Sequence, residues 1–81
     1  MNTVKGSIVK ALAGKEKGSF FVVTDCNGIY AYIADGKRRR LEKPKKKKLI
    51  HLSPTNTVIR GSVETNPQIR KILKEFSKSE G

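Results

Sequence analysis

Between residues 8 and 23 the chain carries two apolar runs separated by a charged break. Residues 8–13 are apolar except for Lys10, and Phe20, Phe21, Val22 and Val23 form an uninterrupted aromatic and β-branched run. Both read as strands, because such side chains favour a pleated, largely buried surface. The break holds Gly14, Lys15, Glu16, Lys17 and Gly18. Its two glycines let the backbone take positive φ angles or approach a partner closely. The expected unit is a strand, a basic turn and a second strand, with Lys15 and Lys17 at the tip as a contact surface.

A turn follows at Asp25-Cys26-Asn27-Gly28. Asn27-Gly28 predicts a type I′ hairpin, with positive φ at both central residues. In the next strand, residues 29–34, the two-residue period puts Ile29, Ala31 and Ile33 on one face and Tyr30 and Tyr32 on the other. Asp35-Gly36 predicts another tight turn, leading to a short exposed fourth strand at residues 37–41. Residues 42–48 read as a loop that Pro44 keeps out of a regular ladder. Residues 49–55 predict a last short strand, apolar through Leu52 and stopped by Pro54.

From Asn66 the period changes from two to helical. Asn66 is the expected N-cap and Pro67 the first helical residue, while Ile69, Ile72, Leu73 and Phe76 recur at i, i+3, i+4 and i+7. Arg70, Lys71, Lys74 and Lys78 fall on the opposite, wet face. Short strands joined by tight turns predict a mainly β fold, a small, strongly bent antiparallel barrel of about five strands, because closure removes exposed edges. The barrel is assigned to residues 1–55, a linker to 56–65 and a packed amphipathic helix to 66–78. Residues 1–5 read as a short lead and residues 77–81 as a fraying end.

Charge changes the picture from fold to partner. The 81 residues carry a net charge of +11, from 18 Lys and Arg against 7 Asp and Glu. Such an imbalance repels itself unless a polyanion screens it, and nucleic acid is the default partner. Nine of the basic residues, Lys37, Arg38, Arg39, Arg40, Lys43, Lys45, Lys46, Lys47 and Lys48, stand in one stretch against Glu42, a local excess of +8. Guanidinium groups grip phosphate bidentately or stack on bases, whereas lysines act as point charges. Replacing Arg38, Arg39 and Arg40 by Ala is therefore expected to weaken nucleic-acid binding by orders of magnitude without unfolding the barrel.

The remaining chemistry is sparse. Tyr30 and Tyr32 read either as a stacking platform for bases or as core and rim residues. His51 reads either as a phosphate or base contact or as part of the barrel wall. Cys26 lacks Cys or His companions at metal spacing, and the carboxylates form no evident acid and base pair, so no metal, cofactor or enzymatic activity is expected. A domain this small has a modest core and little room for an enclosed cleft. The apolar runs fall short of the roughly 20 residues that span a bilayer, and no signal-like segment opens the chain. A cytoplasmic protein, monomeric when free, is expected.

Residues 6–24, with the basic turn between two glycines, resemble a KOW motif. Residues 33–48 together with His51 and Leu52 extend the likeness to KOW-domain RNA-binding proteins related to the archaeal and eukaryotic large-subunit ribosomal protein fourteen-e, including short bacterial versions. The resemblance covers about residues 5–55. It implies an SH3-like barrel that binds ribosomal RNA in association with the large ribosomal subunit, with Lys15 and Lys17 in the motif's turn and residues 37–48 with His51 in the basic block. Two positions depart from the pattern: Glu16 stands where Asp is common, and Ile50 stands where a basic residue is expected. The expected function is binding of structured RNA. The rival readings are a DNA-binding, nucleoid-associated barrel and a protein interaction module of the transcription or translation machinery.

Overall fold

The apolar runs become the centre of one antiparallel sheet. The computed structural model describes residues 3–80; the start of the expected lead, residues 1 and 2, and the last residue of the expected fraying end lie outside the described residues. The strands are β1 (Ser7–Ala11), β2 (Phe20–Asn27), β3 (Tyr30–Ala34), β4 (Lys45–Lys48) and β5 (Leu52–Val58), followed by a helix, α1 (Asn66–Glu80). They pair in the order β4-β3-β2-β1-β5. Edge strands β4 and β5 are joined only by a 3₁₀ turn at Leu49–His51. In a flat sheet those edges would stand about 19 Å apart, four spacings of about 4.8 Å, and a three-residue turn rising about 2 Å per residue cannot span that. The sheet therefore curls, and the fold is barrel-like.

Why β1 and β2 read as continuous apolar runs follows from their position. Val9, Ala11, Phe21, Val23, Ala31, Ile33 and Leu52 pack together on the inner face. Ile8, Val22 and Ala34 lie on the outer face, where α1 covers them with Ile69 and Leu73. Residues 7–9 of β1 and 21–23 of β2 are thus buried on both sides of the sheet. Phe20 and Phe76 extend this second layer edge to face, with ring centroids 5.1 Å apart.

Two bulges give the sheet extra bend, each completed by a threonine. The β2–β3 register shifts between Val23 and Asp25, and the Thr24 hydroxyl donates to the Tyr32 carbonyl at 3.2 Å. The β1–β5 register shifts between Ser7 and Val9, and the Thr55 hydroxyl donates to the Ile8 carbonyl at 2.7 Å. Bulges bend a strand and leave a backbone group unpaired, which these hydroxyls take up.

Several sequence expectations shift. The first strand ends at Ala11 rather than residue 13, and the Leu12 N–H turns to the His51 carbonyl at 2.9 Å. Cys26 lies in β2, not in a turn. Asn27 pairs with Tyr30, so the loop residues are Gly28 and Ile29, with only Gly28 at positive φ (+62°). That is the type II′ pattern rather than type I′. Ile29 consequently leaves the face of Ala31 and Ile33 and is 62% exposed.

The largest correction concerns residues 35–48. Residues 37–41 form no strand, because the Asp35 carboxylate accepts the N–H groups of Lys37 and Arg39, both at 2.9 Å, while the Asp35 and Gly36 N–H groups donate to the Arg39 carbonyl. The segment curls around Asp35 as an Asx-type turn does. The strand comes later, in the lysine run expected as loop, where Lys45, Lys46, Lys47 and Lys48 pair with Ile33, Tyr32, Ala31 and Tyr30. Pro44 falls just before β4, where its missing N–H breaks no ladder bond, and lysines suit an edge strand because they discourage further pairing. Pro54 does not stop β5; it sits inside this other edge strand opposite Val9. The strand thus runs three residues into the expected linker.

At the helix start Thr65, not Asn66, is the cap. The Thr65 hydroxyl accepts the Gln68 N–H at 3.3 Å, and Gln68 Oε1 accepts the Thr65 N–H at 3.0 Å, which is a capping box. Pro67 is accordingly the second helical residue. The helix continues through Glu80, beyond the expected boundary at residue 78. Among the described residues no helix is long and apolar enough to cross a membrane.

Candidate nucleic-acid interface

Three basic segments meet on one side of the barrel. The turn at residues 14–18, the Asp35-centred loop and strand β4 are distant in sequence, yet side-chain bonds fasten them together. Arg39 Nε donates to Glu16 Oε2 at 2.9 Å and its Nη2 to Glu16 Oε1 at 3.3 Å, a bidentate pair between loop and turn. Lys47 Nζ donates to the Ala13 carbonyl at 3.1 Å, joining β4 to the same turn. The Arg39 hydrogen bonds, helped by its charge and those of Lys47 and Lys45, hold the Glu16 carboxyl below the usual range despite partial burial.

This pairing makes stability depend on pH in one direction. A carboxyl with a lowered folded pKa stabilises above its unfolded value, about 4.3, and that contribution is lost as pH falls through the folded value. Arg39 is 35% exposed, so solvent screens the pair. Glu16→Gln should cost about 1 kcal/mol at pH 7. In urea unfolding the gap between variant and wild type should shrink between pH 7 and pH 3; an unchanged gap would mean the carboxylate contributes nothing.

Around this clasp the basic side chains divide by role. Arg38, Arg40 and Lys43 are exposed and, with Lys45, Lys46 and Pro44, line a shallow cleft beside Arg39. Lys15 and Lys17 are exposed on the fastened turn. Lys45 and Lys47 are half-buried, their stems lying on the side of Ile33 and Ala31. Arg39 and Lys47 thus hold the surface together, and the exposed cations are left for a ligand.

The other expected site residues are arranged around this centre. Lys48 is exposed at the far end of β4, and His51, exposed on the 3₁₀ turn beyond it, is held beside the start of the basic turn by the Leu12 N–H donating to its carbonyl. Lys37 is exposed on the opposite flank of the loop, in a groove beside α1. Tyr30 and Tyr32 are half-buried, and the Lys46 ammonium sits 4.2 Å above the Tyr30 ring centroid. That cation–π contact occupies one face of the expected stacking platform. The Cys26 thiol is pushed up by burial and by the Asp25 charge, and Sγ lies 3.7 Å from the Thr3 carbonyl. A thiol held protonated is a poor nucleophile or metal ligand.

No family model matches the chain, and no curated protein matches it. The interface is defined by its own geometry. That geometry also includes residues absent from the expected site: Arg70, Lys71, Lys74 and Lys78 line the α1 groove together with Lys37. Their helical spacing was visible in the sequence as a wet face, but nothing local placed that face beside the Asp35 loop. The contact is made through Asn66, which is 8% exposed. Its Oδ1 accepts the Leu41 N–H and its Nδ2 donates to Glu42 Oε1, both at 2.8 Å.

Proposed function

We propose that the protein is a non-enzymatic RNA-binding protein that holds phosphates of structured RNA on the surface formed by the basic turn, the arginine loop and strand β4. The observation that carries this reading is the clasp: Arg39–Glu16 and Lys47–Ala13 bring cations from three segments onto one fixed surface. A merely solvated charge run would not need such fastening. Phosphates would be engaged by Arg38, Arg40, Lys43, Lys15 and Lys17, and each contact would release condensed counterions. The curved sheet and the loop edges would select the site by shape, as proteins do with folded RNA. The likeness of residues 6–24 and 33–52 to KOW proteins supports ribosomal RNA of the large subunit as the target, and with it a ribosome-associated protein of the cytoplasm.

The test is sedimentation of the endogenous protein through a sucrose gradient of native extract at low and moderate salt. The expected result is co-migration with the large subunit and intact ribosomes, lost on ribonuclease treatment. A protein that stays at the top of the gradient at both salts would overturn the ribosomal target. One that follows DNA, or a partner surviving ribonuclease, would favour the nucleoid or protein-module reading.

A further inference from the structure

The clasped turn and loop form a ridge with a basic cleft on each side. One side is the Arg38, Arg40 and Lys43 cleft described above. On the other side an open groove runs between α1 and residues 18–20, with Lys37 on the loop wall and Lys71, Lys74 and Lys78 on the helix wall. Phe20 and Leu73 contribute its apolar surface. Arg70 fixes one end, donating from Nη1 to the Gly36 carbonyl at 2.7 Å. Among the described residues the only carboxylate lining the groove is Asp35, whose Oδ1 is already engaged by the Lys37 and Arg39 N–H groups. Among the described residues Lys71, Lys74 and Lys78 make no ion pair.

Nothing in the fold requires this second concentration of charge. The helix is anchored by Ile69, Leu73 and its capping box, and its outer lysines repel one another and Lys37. A groove with cations on both walls and apolar atoms between them is complementary to a sugar–phosphate backbone, whose charges lie on its edges and whose sugars pack on apolar surface. We propose that the α1 groove holds a second backbone segment of the same RNA, so that the ridge is straddled by two strands of a folded RNA and not by one extended strand. This inference rests on the RNA-binding reading of the first cleft and adds the class of RNA: a helix, hairpin or junction that presents two backbones on one side.

The test compares two variants of the full chain, Lys71→Gln/Lys74→Gln/Lys78→Gln on the helix and Arg38→Gln/Arg40→Gln/Lys43→Gln on the first cleft. The probes are a ten-nucleotide unstructured RNA and a stable RNA hairpin, and circular dichroism checks that both variants fold. The helix variant should bind the hairpin roughly 20- to 100-fold more weakly at about 0.15 M salt, with its log–log salt slope shallower by about 2, while binding the short strand as wild type does. Unchanged hairpin affinity in the helix variant, with loss in the first-cleft variant, would overturn the two-strand proposal and leave the RNA-binding reading standing. Equal loss for hairpin and short strand would also overturn it, by showing a general charge effect. If neither variant loses affinity for either RNA, the RNA-binding reading itself fails along with the second groove.

Discussion

Changing Arg38, Arg40 and Lys43 together to Gln should weaken binding to structured RNA roughly 100-fold at about 0.15 M salt. The magnitude follows from counterion release: a slope of about 0.8 per phosphate contact makes each lost contact worth about fivefold at that salt, and three are removed. The three side chains are exposed and bear none of the clasp bonds, so the fold should be unaffected. Arg39 belongs to a different class. Changing it to Ala removes the partner of Glu16, a carboxylate only 12% exposed, and should lower stability as well as affinity. A titration of wild type, the triple Gln variant and Arg39→Ala, each with its urea midpoint, separates the two roles. Normal affinity in the triple variant would show that the wrong surface has been assigned.

Gly36→Ala should lower stability by about 2–4 kcal/mol. Gly36 has φ +80°, a region that costs an L-residue about 1–2 kcal/mol. A Cβ there would also stand 2.5 Å from the Asn66 carbonyl oxygen and 3.0 Å from Arg70 Cγ. The first of these neighbours is backbone at the start of α1 and cannot step aside without moving the helix. The loop would separate from α1, loosening the Asn66 bonds to Leu41 and Glu42 and the Arg70 bond to Gly36. For a domain of this size the change amounts to a fall in melting temperature of about 10–25 °C. A loss below about 1 kcal/mol would show that the loop and helix are not held together as described.

The parts of the fold set by local pattern were legible in the chain. Residues 8–11 and 20–23 read as strands because all but the exposed Lys10 and the half-buried Phe20 are buried on one face of the sheet or the other, and α1 read as a helix because one face is apolar at helical spacing. What escaped depended on long-range pairing. Four successive lysines look like a loop until Tyr30, Ala31, Tyr32 and Ile33 offer them a sheet edge. The arginine run looks extended until Asp35 gathers its N–H groups. Thr65 and Gln68 formed a readable capping box, but Asn66 stood beside them as an equally good cap and is instead drawn to Leu41 and Glu42.

The candidate site divides in the same way. Its charge was plain from sequence, since single-signed runs need no register to be recognised. Its internal order was not. Nothing in the spacing of Glu16 and Arg39, 23 positions apart, foretold that one arginine of three would be tied to the turn. The same holds for Lys47, whose partner, the Ala13 carbonyl, is a backbone atom and carries no sequence signal.

The proposed RNA-binding surface is a fixed cationic one that holds phosphates. Its most direct test is the salt dependence of wild-type binding to a folded ribosomal RNA fragment, with duplex DNA as competitor. Engagement of about six phosphates predicts a log–log slope of roughly −4 to −5 and binding that persists under excess duplex DNA at near-physiological salt, because A-form shape and the 2′-hydroxyls contribute beyond charge. Affinity that does not change with salt, or RNA displaced as readily by duplex DNA as by itself, would contradict the account.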